Sequence, residues 1–279
     1  MLVRHERPYG AHLLCAAMSI MGENTVQEKI MSIKMIVTDL DDTLLCRNKT
    51  VSEHTKDVLR RCRKAGVKTV IATGRGHPEV VAPTELFDGI IANNGANIFD
   101  GDIELRRCIS YLEARQLLLA CNDRGFRLSS QFAGMHYTNF DVSQIWPHIK
   151  DFQIVNFASH ALDSEKISIE GVTLEDAAFI ERRLTNNMYL KIARDGLGMV
   201  MHRKATKSAA VAELAGRWKI SRNEIIAFGD DLNDIDLLIY AGIGVAMDNA
   251  LDEVKVIAHY VCGDCDDDGM AKWLEENVL

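Results

Sequence analysis

The chain has 279 residues, with 32 Lys and Arg against 40 Asp and Glu, so its formal net charge is −8. Hydrophobic residues make up 47% and charged residues 26%, a globular composition that excludes a wholly disordered, a collagen-like or a disulfide-scaffold protein. The acidic balance argues against broad nucleic-acid binding, and no apolar run reaches the roughly 20 residues that span a bilayer. A chain of this length usually forms about two domains.

The first thirty residues show mixed polarity and no clear period. The apolar stretch 11–21 follows Arg4, His5 and Arg7 and resembles a weak signal peptide, but it is short and His12 interrupts it. A second start at Met31 leads directly into a strong strand pattern. We therefore expect residues 1–30 to be a disordered peripheral extension or a translation start that was set too early.

The seven cysteines are an odd number and are mostly scattered singly along the chain. This usage fits free thiols in a reducing cytoplasm better than a disulfide framework. Cys262 and Cys265 form one C-x-x-C pair, but a zinc site needs about four ligands and no second pair lies nearby. We therefore expect a cytoplasmic protein without a zinc site.

From Met31 onward, apolar runs alternate with helical patterns. A helix is predicted to begin after Ser52 and to end at Gly66, a short helix is predicted after Arg75, and a capping-box spacing begins at Ser221. Five buried strands are predicted over 34–38, 67–72, 89–92, 225–228 and 243–246. Strands separated by helices imply βαβ units and a parallel sheet.

The middle of the chain, roughly 102–198, has a different pattern that indicates a compact α+β insertion. Helices are predicted to begin at Ser110, with Glu113 three residues on, and near Thr173. Short strands are predicted around 126–131, 135–138, 166–170 and 188–193.

Three polar clusters directly follow predicted strands: 39–43 (DLDDT), 73–75 (TGR) and 229–234 (GDDLND). In an open parallel sheet, ligands bind beyond the carboxyl ends of the strands, so these clusters should converge. Each cluster alone is commonly an ordinary turn, but their joint position after strands favours a site. That site would hold up to six carboxylates: Asp39, Asp41, Asp42, Asp230, Asp231 and Asp234.

Six ionised acids in one pocket would raise each other's pKa values, and a hard divalent cation such as Mg²⁺ relieves that repulsion. Mg²⁺ also clamps a phosphoryl oxygen, and a carboxylate is a nucleophile that forms aspartyl-phosphates. A second carboxyl two residues further on could protonate the leaving oxygen and then activate water. Lys207, in the first turn of a helix from Thr206, is the candidate cation for the phosphate, with Arg203 and Lys204 as close competitors.

These segments resemble the haloacid dehalogenase superfamily of phosphatases. DLDDTLL at 39–45, TGR at 73–75, Lys207 and GDDLNDIDLL at 229–238 are similar to its four motifs. NNGANI at 93–98, AGIGVAMDNA at 241–250 and DDDGMAKWLEE at 266–276 are similar to the Cof-like, type IIB subfamily. The resemblance covers about residues 33–279.

The resemblance implies an α/β fold: a Rossmann-like, three-layer core with a mostly parallel sheet (31–105 and 198–279) and an inserted α+β cap (106–197). It implies Asp39 as nucleophile, Asp41 as acid/base and Lys207 as the catalytic cation. Thr73, Gly74, Arg75, Asn94 and Asn233 are then placed at the phosphate or substrate. It also implies Mg²⁺ held by Asp39, the Asp41 carbonyl and Asp230, with Asp234 supporting the metal or the lysine.

Two positions depart from the family pattern: Asp42 stands where many members have glycine, and Asp248 replaces the usual glycine of A-M-G-N-A. The similarity is only in outline across the cap, about 108–195, which is the region expected to select the substrate. Candidate lining residues there are Gln131, Met135, His136 and Tyr137, each of which is as readily a hairpin or core residue.

The favoured hypothesis is a Mg²⁺-dependent phosphoric monoester hydrolase of small phosphorylated metabolites, such as sugar phosphates, nucleotides, flavin mononucleotide or pyridoxal phosphate. A phosphotransferase such as a sugar phosphomutase would use the same nucleophile. A non-enzymatic phosphate-sensing domain is the third alternative, but it would need neither the second acid nor a hundred-residue cap. The sequence leaves the substrate and the oligomeric state open.

A chain that begins at Met31 should fold and keep the activity of the full chain, because the predicted core starts at the strand that follows. Circular dichroism and an activity assay on both chains test this. Loss of folding or of activity in the shorter chain would contradict it.

Overall fold

The computed structural model describes residues 33–76, 82–147, 149–193 and 195–279. The predicted extension at 1–30 and most of the short helix predicted after Arg75 lie outside these residues. In that region the described part contains one 3₁₀ turn, Thr84–Leu86.

The described strands and helices are numbered here in chain order. The strands are β1 Met35–Thr38, β2 Lys68–Ala72, β3 Gly89–Ala92, β4 Asn97–Asp100, β5 Ile103–Arg106, β6 Leu128–Phe132, β7 Met135–Thr138, β8 Phe152–Ile154, β9 Lys166–Ile169, β10 Met188–Ile192, β11 Gly198–His202, β12 Ile225–Gly229, β13 Ile243–Ala246 and β14 Tyr260–Val261. The helices are α1 Glu53–Lys64, α2 Tyr111–Asp123, α3 Leu174–Glu181, α4 Lys207–Arg217, α5 Ile235–Tyr240, α6 Asp252–Ile257 and α7 Gly269–Asn277.

The larger sheet has the strand order β14-β13-β12-β1-β2-β3-β4-β5. Strands β14 to β3 run parallel, as predicted, and the hairpin β4–β5 continues the sheet antiparallel to β3. The five predicted strands are all present, and the hairpin and β14 were not predicted. The fold class is therefore confirmed as α/β with a mostly parallel sheet.

The strands of this sheet are apolar runs because helices cover them. All four residues of β1 are buried, and so are those of β13. Helix α1 packs against α7 and helix α4 packs against α5, so two helical layers enclose the sheet. Ser52 caps α1 by accepting from the Thr55 N–H, and Gly66 follows the helix at a φ of +89°.

The second sheet is built from the insertion and has the order β10-β11-β9-β6-β7-β8. The predicted strands and helix starts in this region are confirmed. The capping box of Thr173 with Asp176 was not predicted. β11 was placed in the core by the sequence but pairs with β9 and β10 here. We therefore propose that the insertion ends after His202 rather than at 197.

A tight turn between β3 and β4 brings the core against the start of α4. Asn93, Asn94 and Gly95 all have positive φ values, and Gly95 has the largest, +103°. A Cβ on Gly95 would lie 2.3 Å from the carbonyl oxygen of Thr206, the residue that caps α4. Only glycine satisfies both the backbone angle and this close approach.

Replacing Gly95 with Ala should lower the melting temperature by roughly 5 °C or more. Alanine disfavours the positive φ of this position, and its Cβ would collide with the backbone of Thr206. Gly101→Ala is the matched control: Gly101 has a φ of +60° but nothing within 4 Å of a new Cβ. That control should cost only about 1 kcal/mol. Equal melting temperatures for the two variants would show that the contact with Thr206 does not constrain the turn.

Candidate active site

A buried ion cluster lies at the carboxyl end of the parallel strands. Asp39 follows β1, Lys207 is the first residue of α4, and Asp234 closes the 3₁₀ turn Leu232–Asp234 before α5. The side chains of Lys207 and Asp234 are 1% and 0% exposed. The Lys207 ammonium donates to Asp39 and, at 2.6 Å, to Oδ1 of Asp234. The sequence elements that were expected to converge here do so.

The loop after β12 fixes the position of Asp234. Its Oδ2 accepts the N–H groups of Asp230 and Asp231 at 3.1 Å each, and Asp231 caps the turn. A Cβ on Gly229 would lie 2.4 Å from the Asp234 Cβ, so glycine lets the carboxylate pack directly on the strand end. Both oxygens of Asp234 are therefore engaged by the protein.

Uncompensated negative charge remains beside this cluster. The carboxylate oxygens of Asp39, Asp230 and Asp234 lie within 4.8 Å of one another. Burial, and then Asp234 and Asp42, raise the pKa of Asp230 to about 7, although its Oδ1 accepts a 2.7 Å hydrogen bond from the Thr43 hydroxyl. Burial also raises the pKa of Asp39, and Asp234 and Asp230 add to this rise while Lys207 opposes it. One lysine does not balance three acids.

The donor set fits the magnesium ion that the family implies. Asp39 and Asp230 offer oxygen atoms, which are the ligands that hard divalent cations prefer. A cation there would offset the repulsion that raises both pKa values. Asp234 is already engaged by Lys207 and two N–H groups, so its role is to hold the lysine and the loop.

Of the up to six carboxylates expected at the site, the other three do not belong to the group that lies within 4.8 Å of one another. Asp41 forms a bidentate pair with Arg75, with both hydrogen bonds at 2.7 Å, and Lys49 also contacts it. Asp42 pairs with Lys49 and has a φ of +57°, the backbone region that suits the glycine common in the family. Asp231 is exposed and caps its turn.

Arg75 was predicted to bind the phosphate, but in this structure Asp41 occupies its guanidinium. Burial would raise the pKa of Asp41, but the hydrogen bonds and charge of Arg75, and then Lys49, outweigh it and lower the pKa. Asp41 is therefore ionised in this arrangement. A phosphate dianion beside the pair would favour its protonation and would compete for Arg75.

The remaining predicted phosphate residues lie next to one another. Thr73 is buried, and its hydroxyl accepts the Arg75 N–H at 3.1 Å. Asn94 donates its backbone N–H to the Thr73 carbonyl, and its side-chain oxygen accepts from the Asn233 amide at 3.3 Å. A Cβ on Gly74 would lie 3.2 Å from that Asn94 oxygen. These contacts connect the second motif to the fourth.

The side-chain oxygen of Asn233 is a candidate contact for a ligand. Its Oδ1 is buried and has no hydrogen-bond partner within the described part of the chain. An unpaired buried polar atom is costly, so a bound group at this position would stabilise it. This agrees with the predicted placement of Asn233 at the substrate.

Of the four candidate cap residues, two share one face of the second sheet. Gln131 and His136 are register partners in β6 and β7, and the Ser129 hydroxyl contacts the His136 ring at 2.9 Å. Met135 and Tyr137 alternate with them, and Tyr137 stacks on His160 with ring centroids 4.8 Å apart. Met135 and Tyr137 therefore do not belong to that face.

Sequence reasoning missed three residues around the site. Thr43 lies inside the first motif and its contact with Asp230 could have been anticipated from the strand ends. Lys49 lies on an irregular loop, and no sequence motif or periodicity marked it as a site residue. Lys166, the first residue of β9, is buried and donates to the Gly74 carbonyl at 3.2 Å, a contact between residues 92 positions apart.

A second group of metal-type ligands near Cys262 comprises Asp264, Cys265 and Asp266, of which Cys265 is buried. Arg47 binds both carboxylates, with hydrogen bonds of 2.7 Å to Asp264 and 2.5 Å to Asp266. The six cysteines in the described ranges are free, in agreement with the prediction. None of the described helices has the length and apolar content to cross a membrane.

The comparisons with known proteins place this chain in a family. The model of the haloacid dehalogenase-like hydrolases matches residues 36–274. A 5-amino-6-(5-phospho-D-ribitylamino)uracil phosphatase of Bacillus subtilis, YcsE, is 30% identical over 91% of this chain and its own full length. The pyridoxal phosphate phosphatase YbhA of Escherichia coli is 27% identical over 89% of this chain and its full length.

Solved structures agree with this assignment. The phosphatase BT1666 of Bacteroides thetaiotaomicron is 26% identical and superposes with a TM-score of 0.77 over 88% of this chain and 96% of its own. The subclass IIB sugar phosphatase BT4131 shares the fold, with a TM-score of 0.77 over 87% and 98% of the two chains at 24% identity. The family model is that of a hydrolase and the named relatives are phosphatases, so the chain is a phosphoric monoester hydrolase. The chain belongs to the haloacid dehalogenase-like hydrolase family.

Replacing Asp230 with Asn should stabilise the metal-free protein at pH 8. The raised pKa of Asp230 means that folding opposes its ionisation, so this penalty grows from about pH 4 to about pH 7 and persists above. We expect the variant to melt roughly 5 °C higher than the parent at pH 8 and to differ little at pH 4.5. Added Mg²⁺ should raise the melting temperature of the parent only.

Scanning calorimetry at the two pH values, with and without Mg²⁺, measures these differences. Asp248→Asn is the control, because Asp248 is an exposed carboxylate outside the cluster. An equal Mg²⁺ effect on the parent and on Asp230→Asn would show that the ion binds elsewhere.

Proposed function

We propose that this protein is a Mg²⁺-dependent phosphatase of small phosphorylated metabolites that works through an aspartyl-phosphate on Asp39. The observation that carries the proposal is the cluster of Asp39, Lys207, Asp234 and Asp230 at the carboxyl end of the sheet. The family membership supports the hydrolase class. The named activities of the relatives support small phosphorylated substrates.

Asp39 is the proposed nucleophile because of its position and its neighbours. It is 6% exposed, lies directly after the central strand and is held by Lys207. Attack on phosphorus would form an O–P bond from its carboxylate and break the bond to the ester oxygen. Lys207 would counter the negative charge that the phosphoryl oxygens carry.

Asp41 is the proposed acid and base. Two residues beyond the nucleophile, it would give a proton to the leaving ester oxygen and later take one from the water that hydrolyses the aspartyl-phosphate. Its pairing with Arg75 favours the ionised form, which suits the second step. Release of Arg75 toward the phosphate would favour the protonated form needed in the first step.

Asp39, the Asp41 carbonyl and Asp230 are the residues that would hold Mg²⁺, and Asp234 would hold Lys207. When bound, the ion neutralises a phosphoryl oxygen and lets the Asp39 carboxylate approach an anionic ester. Thr73, Gly74, Asn94 and Asn233 are proposed to surround the phosphate. The second sheet is proposed to close over it and exclude water.

The substrate is proposed to be a small cytosolic metabolite. One relative is named for its activity on a phosphorylated ribitylaminouracil and another for its activity on pyridoxal phosphate, and both of these substrates are small phosphorylated molecules. The free cysteines in the described ranges support a reducing compartment.

Replacing Asp39 with Asn should lower kcat for phosphate release on the order of 1000-fold or more, because an amide oxygen is a much poorer nucleophile. The assay is release of inorganic phosphate from a panel of phosphorylated metabolites, with and without Mg²⁺. Asp248→Asn should retain turnover within about threefold.

Full turnover by Asp39→Asn would refute the proposed nucleophile. Phosphate that moves to a sugar acceptor without release would indicate a phosphotransferase. Binding of Mg²⁺ and phosphate without any turnover would indicate a sensing domain.

A further inference from the structure

The second sheet has one apolar face and one polar face. In β9, Ile167 and Ile169 are fully buried among the side chains of the insertion's own hydrophobic cluster, which includes Leu117 and Leu118 of α2 and Ile180 of α3. Lys166 and Ser168 alternate with the two isoleucines and therefore lie on the opposite face.

The strand register places a second lysine on the polar face. Ser168 is the register partner of Met199, and Met199 is the register partner of Lys191 in β10. Directly opposed residues in adjacent strands project on the same side, so Lys166 and Lys191 share one face. Gln131 is the register partner of Lys166 and joins them there.

Three contacts show that the polar face meets the catalytic core. Lys166 donates to the Gly74 carbonyl at 3.2 Å. The Asn94 amide contacts the sulfur of Met201 at 3.8 Å. The Tyr189 hydroxyl donates to the carbonyl of Ala205, two residues before Lys207, at 2.7 Å. The two lysines therefore lie between the insertion and the predicted phosphate residues.

Neither lysine has a carboxylate partner in the described ranges. Lys166 is 8% exposed, and its acidic neighbour Glu165 is instead bound by Asn97, by the Ala133 N–H and by Arg106. An ammonium has three donors, and one of those of Lys166 is used by Gly74. A buried cation without a counter-ion is costly, so an anion that binds beside it gains affinity.

Lys191 is partly buried and lies close enough to Asp234 for the charge of that carboxylate to affect its pKa. Burial lowers its pKa, with a smaller lowering from Lys207, while the charges of Asp234, Asp236 and Asp231 oppose this. Lys207 is already neutralised by Asp39 and Asp234, whereas the lysines of the polar face are not. Among the described residues, the positive charge without a carboxylate partner therefore lies on the face of the insertion that contacts the core.

We propose that Lys166, assisted by Lys191, binds a second anionic group on the leaving-group side of the substrate, a carboxylate or a second phosphate. This inference rests on the proposed phosphatase function and adds the substrate class. Lys166 is then a specificity residue, and the preferred substrates carry two anionic groups, of which one is the phosphate that is removed.

The test uses two phosphate esters that differ at one carbon: gluconate 6-phosphate, which has a carboxylate, and sorbitol 6-phosphate, which has a hydroxymethyl group there. We expect the parent protein to hydrolyse gluconate 6-phosphate with a kcat/KM about tenfold higher or more. Lys166→Met should abolish this preference, because kcat/KM should fall about tenfold more for gluconate 6-phosphate than for sorbitol 6-phosphate. Lys166→Arg should restore much of the preference.

Lys150→Met is the matched control, because Lys150 belongs to the insertion but is exposed. It should keep the preference of the parent. Thermal melting of each variant separates folding from specificity, and Lys191→Met provides a second variant if Lys166→Met does not fold. A parent without the preference, or an equal loss on both esters in Lys166→Met, would overturn the proposal.

Binding to Asp39→Asn tests the lysine separately from the reaction. Isothermal titration of that variant with the two esters should give a Kd about tenfold lower for gluconate 6-phosphate, and adding Lys166→Met should remove the difference. Preferential binding without turnover by the parent would mean that the phosphatase proposal fails while the lysine proposal stands. Turnover without preferential binding would mean the reverse.

Discussion

Repulsion among buried carboxylates is the constraint on which the rest of this structure depends. Asp39, Asp230 and Asp234 meet at the end of the central strands, and Lys207 supplies one positive charge among them. Burial and the neighbouring carboxylates raise the pKa values of Asp39 and Asp230. A cation bound at this cluster would relieve the repulsion, which is why the proposed function includes one.

Several parts of the fold hold the residues of this cluster in place or contact them. Gly229 and Gly95 allow close backbone approaches that position Asp234 and the start of α4. Arg75 binds a further acid, Asp41, in a bidentate pair. The insertion then divides its sheet into an apolar face, which builds its own core, and a polar face, which meets the site. One sheet therefore builds the insertion's own core and also contacts the site.

Much of the core could be predicted because its signals are local. An apolar run such as 243–246 is typical of a buried strand in a parallel sheet, Ser52 was identifiable as a helix cap, and a helix start was identifiable near Thr173. The antiparallel hairpin β4–β5 was missed because β5 is a largely exposed edge strand and β4 lacks the continuous apolar run of a buried strand. The pairing of β11 with β9 and β10 was not predicted, because the sequence of one strand does not identify the strands that pair with it.

The sequence by itself determined the α/β class, the three strand-end clusters and the lysine of α4, because each depends on residues close together in the chain. Only the tertiary structure decided which acids share a site, that Arg75 turns toward Asp41, and that Lys166 contacts Gly74. Those outcomes depend on distances between residues tens to hundreds of positions apart. Charge pairing and burial act through space, so they are fixed only when the strands have taken their order in the sheets.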